Sequence, residues 1–214
     1  LHESYSISTF VTGPLETNTY VLISGKAVWI VDPGMGVQEV IDFLQRRNLV
    51  PTRIALTHGH GDHIAGVVEL TEAFGDVPLV CPATDAFMLE DPRENLSGEF
   101  GFDVVCPAAD ELVKVGQKLT DDTLNLLVLD TSGHTPGGVS YYWAAAKAVL
   151  TGDALFAGSI GRTDFAGGDL AGLLENIRRN LLTLPDGTQV LPGHGPKSSI
   201  AVERRTNPFL LSGI

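Results

Sequence analysis

Along the first third of the chain, apolar and β-branched residues gather in short runs separated by glycine and proline. "YSISTFVTG", "TNTYVLIS" and "AVWIVDPG" are rich in Val, Ile, Thr and Tyr, which predicts three consecutive strands. The period then changes. In "GVQEVIDFLQRRN" the residues Val37, Val40, Ile41 and Leu44 recur at helical spacing, with cations near the end. "TRIALTH" predicts a short strand, about Ile64 to Phe74 a helix stopped by Gly75, and "VPLVCP" another strand. This half therefore alternates β and α.

From about Ala86 to Ala109 the pattern fades, and "EDPRENLSGEFGFD" reads as loop and turn. Strands return in "LVKVGQKL", "LNLLVLDT", "GVSYYWAAA" and "AVLTGD". A helix is predicted from about Leu170 to Leu182 and a strand in "TQVLPGHG". The tail "SIAVERRTNPFL" predicts a short helical stretch before Pro208. Two β-rich halves, each with helices, imply a sheet-on-sheet core with helices outside.

The 214 residues suit one domain spanning 1–214, and 43% hydrophobic with 19% charged residues permits a large core. No apolar run approaches the roughly 18–20 residues that span a bilayer. "LHESYSISTF" has neither the basic flank nor the apolar stretch of a signal peptide. Cys81 and Cys106 each precede a proline and offer no disulfide framework, so idle thiols in a reducing cytoplasm are expected. A formal charge of -12 argues against a large nucleic-acid footprint, and neither nucleic acid nor membrane is an expected partner.

The segment "LTHGHGDHIAG" changes the picture, because it holds three of the chain's six histidines. In an extended segment His58, His60 and Asp62 point one way, with Gly59 and Gly61 leaving the alternate positions empty. Asp62 suits a helix N-cap, which would put His63 in the first turn. Buried on an apolar face, these imidazoles would each need a partner. Gathered around a small volume, they and the carboxylate are ligands for Zn, Mn or Fe. His134 in "TSGHTPGG", Asp153 in "AVLTGDALF" and His194 in "VLPGHGP" each follow an apolar strand and sit beside glycine. Loops converging at one edge of a sandwich would bring them together. His2, near the terminus, is expected to be solvated.

"THGHGDH" resembles the HxHxDH signature of the metallo-β-lactamase superfamily, with His134, Asp153 and His194 where its other ligands stand. The resemblance covers nearly the whole chain. It implies an α/β fold, an αββα sandwich of two mixed sheets packed face to face with helices outside. It also implies a dinuclear site: His58, His60 and His134 on one metal, Asp62, His63 and His194 on the other, Asp153 bridging. Two divalent ions, zinc first with iron or manganese as alternatives, would share a hydroxide that attacks a polarised carbonyl. Asp62 would orient that nucleophile and accept its proton.

"GDALFAGSIGRTDFAGGD", "LPGHGP" and "ERRTNPFL" resemble the glyoxalase II-like branch, in its short bacterial form lacking the helical C-terminal domain. This implies hydrolysis of a thioester such as S-lactoylglutathione. Arg162 matches a basic glutathione contact of that family, while Asp164 and Pro196 occupy the positions of its substrate tyrosines. Pairing of Arg162 with Asp164 is the alternative, and Tyr141 and Tyr142 are expected to pack. The runner-up is a persulfide dioxygenase with a single iron on His58, His134 and Asp153. A metal-stabilised binding module is a third reading, although seven candidate ligands exceed the four of a structural zinc site.

Overall fold

The computed structural model describes residues 5–211; His2, expected to be solvated, lies outside them. The first sheet runs, in spatial order, β1 (Tyr5–Thr12), β2 (Thr17–Ser24), β3 (Ala27–Val31), β4 (Arg53–Ala55), β5 (Leu79–Pro82) and β6 (Glu111–Val113). β1 to β3 form an antiparallel meander, and β3 to β6 pair in parallel. Parallel neighbours need crossovers, and α1 (Gln38–Arg46) and α3 (Val67–Phe74) provide two of them.

The second sheet begins at its outer edge with β7 (Lys118–Asp121), β8 (Leu124–Asp130), β9 (Val139–Trp143) and β10 (Ala148–Gly152). It continues through β13 (Gln189–Pro192) to β14 (Ser198–Ser199). Only the β10–β13 pair is parallel. A small hairpin, β11 (Leu155–Phe156) and β12 (Ser159–Ile160), projects after β10.

Strand alternation explains the layering. Tyr20 and Leu22 of β2, and Trp29 and Val31 of β3, share the central core with Leu126, Tyr141 and Trp143 of the second sheet. Val21, Val28 and Ile30 face the other way, among Val40, Leu44 and Leu70 of the outer helices. Burial on both faces is why β2 and β3 read as continuous apolar runs. On the far side, Val149 and Val190 pack against Leu173, Leu174 and Ile177 of α4 (Leu170–Asn176) and the turn that follows it. Helices, sheet, sheet and helices thus form the expected four layers.

Several boundaries differ from the sequence reading. "LVKVGQKL" is not one strand: it divides at a turn through Gly116, giving β6 to the first sheet and β7 to the second. The helix expected over Ile64 to Phe74 is broken into α2 (Gly61–Ile64) and α3, because the Gly66 N–H donates to the Pro33 carbonyl (2.8 Å). α4 gives way to a π-helical turn over Ile177–Leu181, which keeps Ile177 and Leu181 in the core. The unpatterned middle contains two short 3-10 turns, Ala86–Glu90 and Ser97–Phe100. The tail forms α5 (Ile200–Thr206) and α6 (Pro208–Leu211).

Cys81 and Cys106 are buried and unpaired. Among the described residues no helix is long and apolar enough to cross a membrane. Tyr142 packs against the outer core of the second sheet, as expected. Tyr141 does more than pack: its hydroxyl donates to the Leu56 carbonyl (2.7 Å), joining the two sheets just before His58. Tyr141→Phe should lower stability by about 1–2 kcal/mol, the scale of one buried hydrogen bond, with the fold retained. Urea denaturation followed by circular dichroism measures this, and an unchanged midpoint would show that the bond contributes nothing.

Candidate metal centre

Chain segments leaving both sheets at one edge carry the candidate ligands. His58 and His60 follow β4, His134 follows β8, Asp153 follows β10 and His194 follows β13. Contacts between the sheets set their relative positions. Asn18 Nδ2 donates to the Pro192 and Gly195 carbonyls (3.0 and 2.9 Å), and the Tyr20 hydroxyl to Pro192 O (2.7 Å). These bonds fix the loop bearing His194 against the first sheet.

Six of the seven residues gather in two groups with no member in common, which His58 and His63 link through a further group with Asp32. Ligand atoms of His58, His60 and His134 lie within 4.8 Å of one another, as do those of Asp62, His63 and His194. Asp153 stands between them, with Oδ1 3.3 Å from His63 Nε2 and Oδ2 3.6 Å from both His134 Nε2 and His194 Nε2. Asp62 differs from the sequence reading. It lies inside α2 and does not cap it; His60 holds the cap position. The turn into the helix carries Asp62 away from His58 and His60 and sets its Oδ2 3.1 Å from His194 Nε2. Gly59 and Gly61 do clear space, since a Cβ at either would come within 2.8 Å of Met88 or 2.6 Å of Ser97.

Hydrogen bonds aim the imidazoles inward. Thr57 Oγ1 donates to Asp32 Oδ2 (2.7 Å), so it accepts from His58 Nδ1 (3.0 Å), leaving His58 Nε2 bare. His134 Nδ1 donates to the Arg162 carbonyl (2.6 Å), which turns its bare Nε2 towards His60 Nδ1 at 2.9 Å. Asp32 Oδ2 also lies 3.1 Å from His63 Nδ1. Asp85, fully buried, accepts from Gly59 N, Thr135 Oγ1 and Gly137 N, tying the loop of His58 and His60 to that of His134. Burial raises the Asp85 carboxyl above the ordinary carboxylate range, despite those bonds.

Asp32, Thr57 and Asp85 were missed by sequence reading. Asp32 carries the same signal as Asp153, an acid just past an apolar strand beside a turn, and its backbone is left-handed (φ 51°). Nothing in the sequence marks Asp85.

The charge pattern calls for a cation. Burial and the neighbouring imidazoles push His58 well below its ordinary range, and burial, then His134, brings His60 down to about 3. Burial also disfavours charge on His63, yet Asp62, Asp153 and Asp32 outweigh it and hold this imidazole well above its ordinary value. His194 is raised too, with burial opposed by its bond to Asp62 and by Asp153. Burial works against ionised Asp62 and Asp153, but His63 and its neighbours bring both below the usual carboxylate range. His58 Nε2 and Asp153 Oδ1 are buried without a hydrogen-bond partner. Bare nitrogen and carboxylate oxygen at such spacing fit divalent metal ions of the zinc, iron and manganese class.

Arg162 pairs with Asp164 through two bonds of 2.9 Å, the alternative its neighbour offered. Beside the centre opens a cleft of about 310 Å³. The hairpin β11–β12 forms part of its wall and is held by the tail. Glu203, fully buried, accepts from Gly158 N (2.9 Å) and also from the Ser198 hydroxyl and Asn207 Nδ2. Asn207 Nδ2 also donates to Ser159 O (3.0 Å).

An edge-of-sandwich His/Asp cluster beside a cleft is the layout of a metal-dependent hydrolase. The chain belongs to the metallo-β-lactamase superfamily, whose family model matches residues 12–194, and it has the metallo-β-lactamase fold. It is 41% identical to the probable metallo-hydrolase YqgX of Bacillus subtilis, over 92% of this chain and 94% of that protein. It is 35% identical to hydroxyacylglutathione hydrolase GloC of Haemophilus influenzae, over 87% of this chain and 89% of that protein. The crystal structure of BLEG-1 B3 metallo-β-lactamase superposes with a TM-score of 0.92 at 39% identity, covering 97% of this chain and all of that one. The di-iron-bound form of TTHA1623 superposes with a TM-score of 0.86 at 35% identity, covering 95% of this chain and all of that one.

Metal loading should depend on pH in two stages. A proton on His63 or His194 must leave before metal enters, and both imidazoles are held above their ordinary values. His58 and His60 are pushed down and stay bare in mildly acidic solution. As pH falls from 8 to 5, the Asp62–His63–His194 group should therefore lose metal first. Metal-to-protein ratios after desalting at each pH should pass through a plateau near one; a single-step loss would show that the groups do not differ.

Proposed function

We propose that the chain is a dinuclear metal-dependent thioester hydrolase of the glyoxalase II type, acting as one domain over residues 1–214. The observation that carries this reading is the pair of ligand groups meeting at Asp153 beside an open cleft. His58, His60 and His134 would hold one ion, Asp62, His63 and His194 the other, with Asp153 between them. Bound there, the ions supply a water of lowered pKa and polarise a substrate carbonyl. The likeness to GloC supports a thioester, with S-lactoylglutathione as the reference substrate, giving a hydroxy acid and a free thiol.

The chain's own residues prepare the site. Thr17 Oγ1 donates to Asp62 Oδ2 (3.0 Å), steadying the carboxylate proposed to orient the nucleophile and accept its proton. Asp32 and Thr57 fix the tautomer of His58, and the Arg162 carbonyl fixes that of His134, so neither ring must turn when the site fills. Arg162, the substrate contact that the resemblance implies, lines the cleft with its guanidinium held by Asp164. Zinc is the first expectation. The di-iron form of TTHA1623 makes iron a specific alternative, and manganese suits the same donors. A small-molecule substrate and a cytoplasmic setting complete the proposal; unpaired Cys81 and Cys106 accord with a reducing compartment.

A second reading, a persulfide dioxygenase with one iron on His58, His134 and Asp153, uses a subset of the same residues, with His134 Nε2 3.6 Å from Asp153 Oδ2. One experiment separates the two: metal analysis of the protein with parallel assays on S-lactoylglutathione and on glutathione persulfide under oxygen. Thioester cleavage with about two ions per chain is expected. His63→Ala should then cost about 100-fold or more in kcat/KM, the scale of losing a group that stabilises the reacting centre. Oxygen consumption with one iron, indifferent to His63→Ala, would select the dioxygenase. The likeness to BLEG-1 makes a β-lactam the comparison substrate, and the thioester should be cleaved faster.

A further inference from the structure

The cleft beside the metal centre is walled largely by carbon. Leu15, Met35, Leu96, Phe100, Phe156 and Phe165 line it, and Phe100 stands half-exposed at its rim. Outside the metal centre, Thr17, Asn95 and Ser97 are polar side chains lining the cleft that already hydrogen-bond within the protein. Thr17 donates to Asp62, and Asn95 Nδ2 donates to the Met88 and Val104 carbonyls (3.0 and 2.9 Å). Asn95 Oδ1 accepts from Ser97 N (3.0 Å), and Ser97 Oγ accepts from Val104 N (3.1 Å).

Among the described residues, Arg162 is the only Lys or Arg lining the cleft. Its guanidinium is forked onto Asp164 and lies 4.4 Å from the Phe165 ring centroid. A carboxylate arriving from solvent would have to displace one already in place, exchanging like for like. An exposed pair contributes little to begin with, so the exchange adds little affinity. Glutathione, with two carboxylates and an ammonium group, finds no charged partner here beyond that guanidinium and the acids of the metal centre.

We infer that the cleft selects substrate by an apolar acyl group, alkyl or aryl, and gives no anchor to carboxylates on the thiol carrier. The thioester in this statement rests on the hydrolase reading above; the selectivity for an apolar group rests on the cleft alone. Transfer of each methylene from water into such a wall strengthens binding about three- to fourfold.

Non-hydrolysable thioethers test this by calorimetric titration of the metal-loaded protein. S-methyl, S-butyl and S-hexyl derivatives are compared on glutathione and on N-acetylcysteamine, a carrier without carboxylates. Affinity should rise at least about fiftyfold from methyl to hexyl on both carriers, which should agree within about threefold. Phe100→Ser should remove a large part of the alkyl gain. Affinity that is flat in alkyl length, or tenfold or more better with glutathione, overturns the inference. Thioester turnover is scored separately. The alkyl trend without any thioester cleavage would defeat the hydrolase reading alone; cleavage without the trend would defeat this inference alone.

Discussion

Five imidazoles and two carboxylates occupy a pocket a few ångströms across, where burial makes each charge costly unless a neighbour answers it. His60 Nδ1 and His134 Nε2 stand 2.9 Å apart, a separation that two lone pairs tolerate only with a proton or cation between them. Asp62 and Asp153 approach the same space from other loops, and burial makes each charge costly unless it is answered. Without metal, His63 and His194 answer by keeping protons. Metal ions would take the place of those protons. Much of the surrounding structure maintains this arrangement.

That maintenance is distributed over the fold. Asp32 closes β3 and reaches Thr57 and His63, so the first sheet orients the imidazoles. Tyr20 and Asn18 reach from β2 to the loop of His194, and Tyr141 reaches back from the second sheet to Leu56. Asp85 joins the loops of His58 and His134 through backbone amides. The sandwich therefore acts as a frame whose two halves each supply part of the cluster, and neither half is complete alone. The cleft belongs to the same frame: α5 and Asn207 hold the β11–β12 hairpin that forms one of its walls.

Metal chemistry and substrate choice are separable here. The cluster is polar, buried and fixed by hydrogen bonds, and the same layout serves a large superfamily. The cleft beside it is apolar and contributed by loops, including the segment around Leu96 and Phe100 that showed no periodicity in the sequence. Variation in these loops can change the substrate while the cluster stays as it is.

The sequence by itself determined the elements with strong periodicity and the identity of the seven clustered residues. Spacing in "THGHGDH", and the placement of His134, Asp153 and His194 after apolar strands, are local signals that survive without coordinates. Tertiary structure decided the rest. Only the turn into α2 shows that Asp62 lies inside the helix and leaves the cap position to His60. The split of "LVKVGQKL" between two sheets follows from which partner strand each half meets, and periodicity carries no information about that. Asp85 and Asp32 act through atoms 25 to 52 residues away, contacts that no local pattern encodes. The Arg162–Asp164 pair was one of two local alternatives that the structure decided between, whereas the carbon wall around it emerges only when the loops converge.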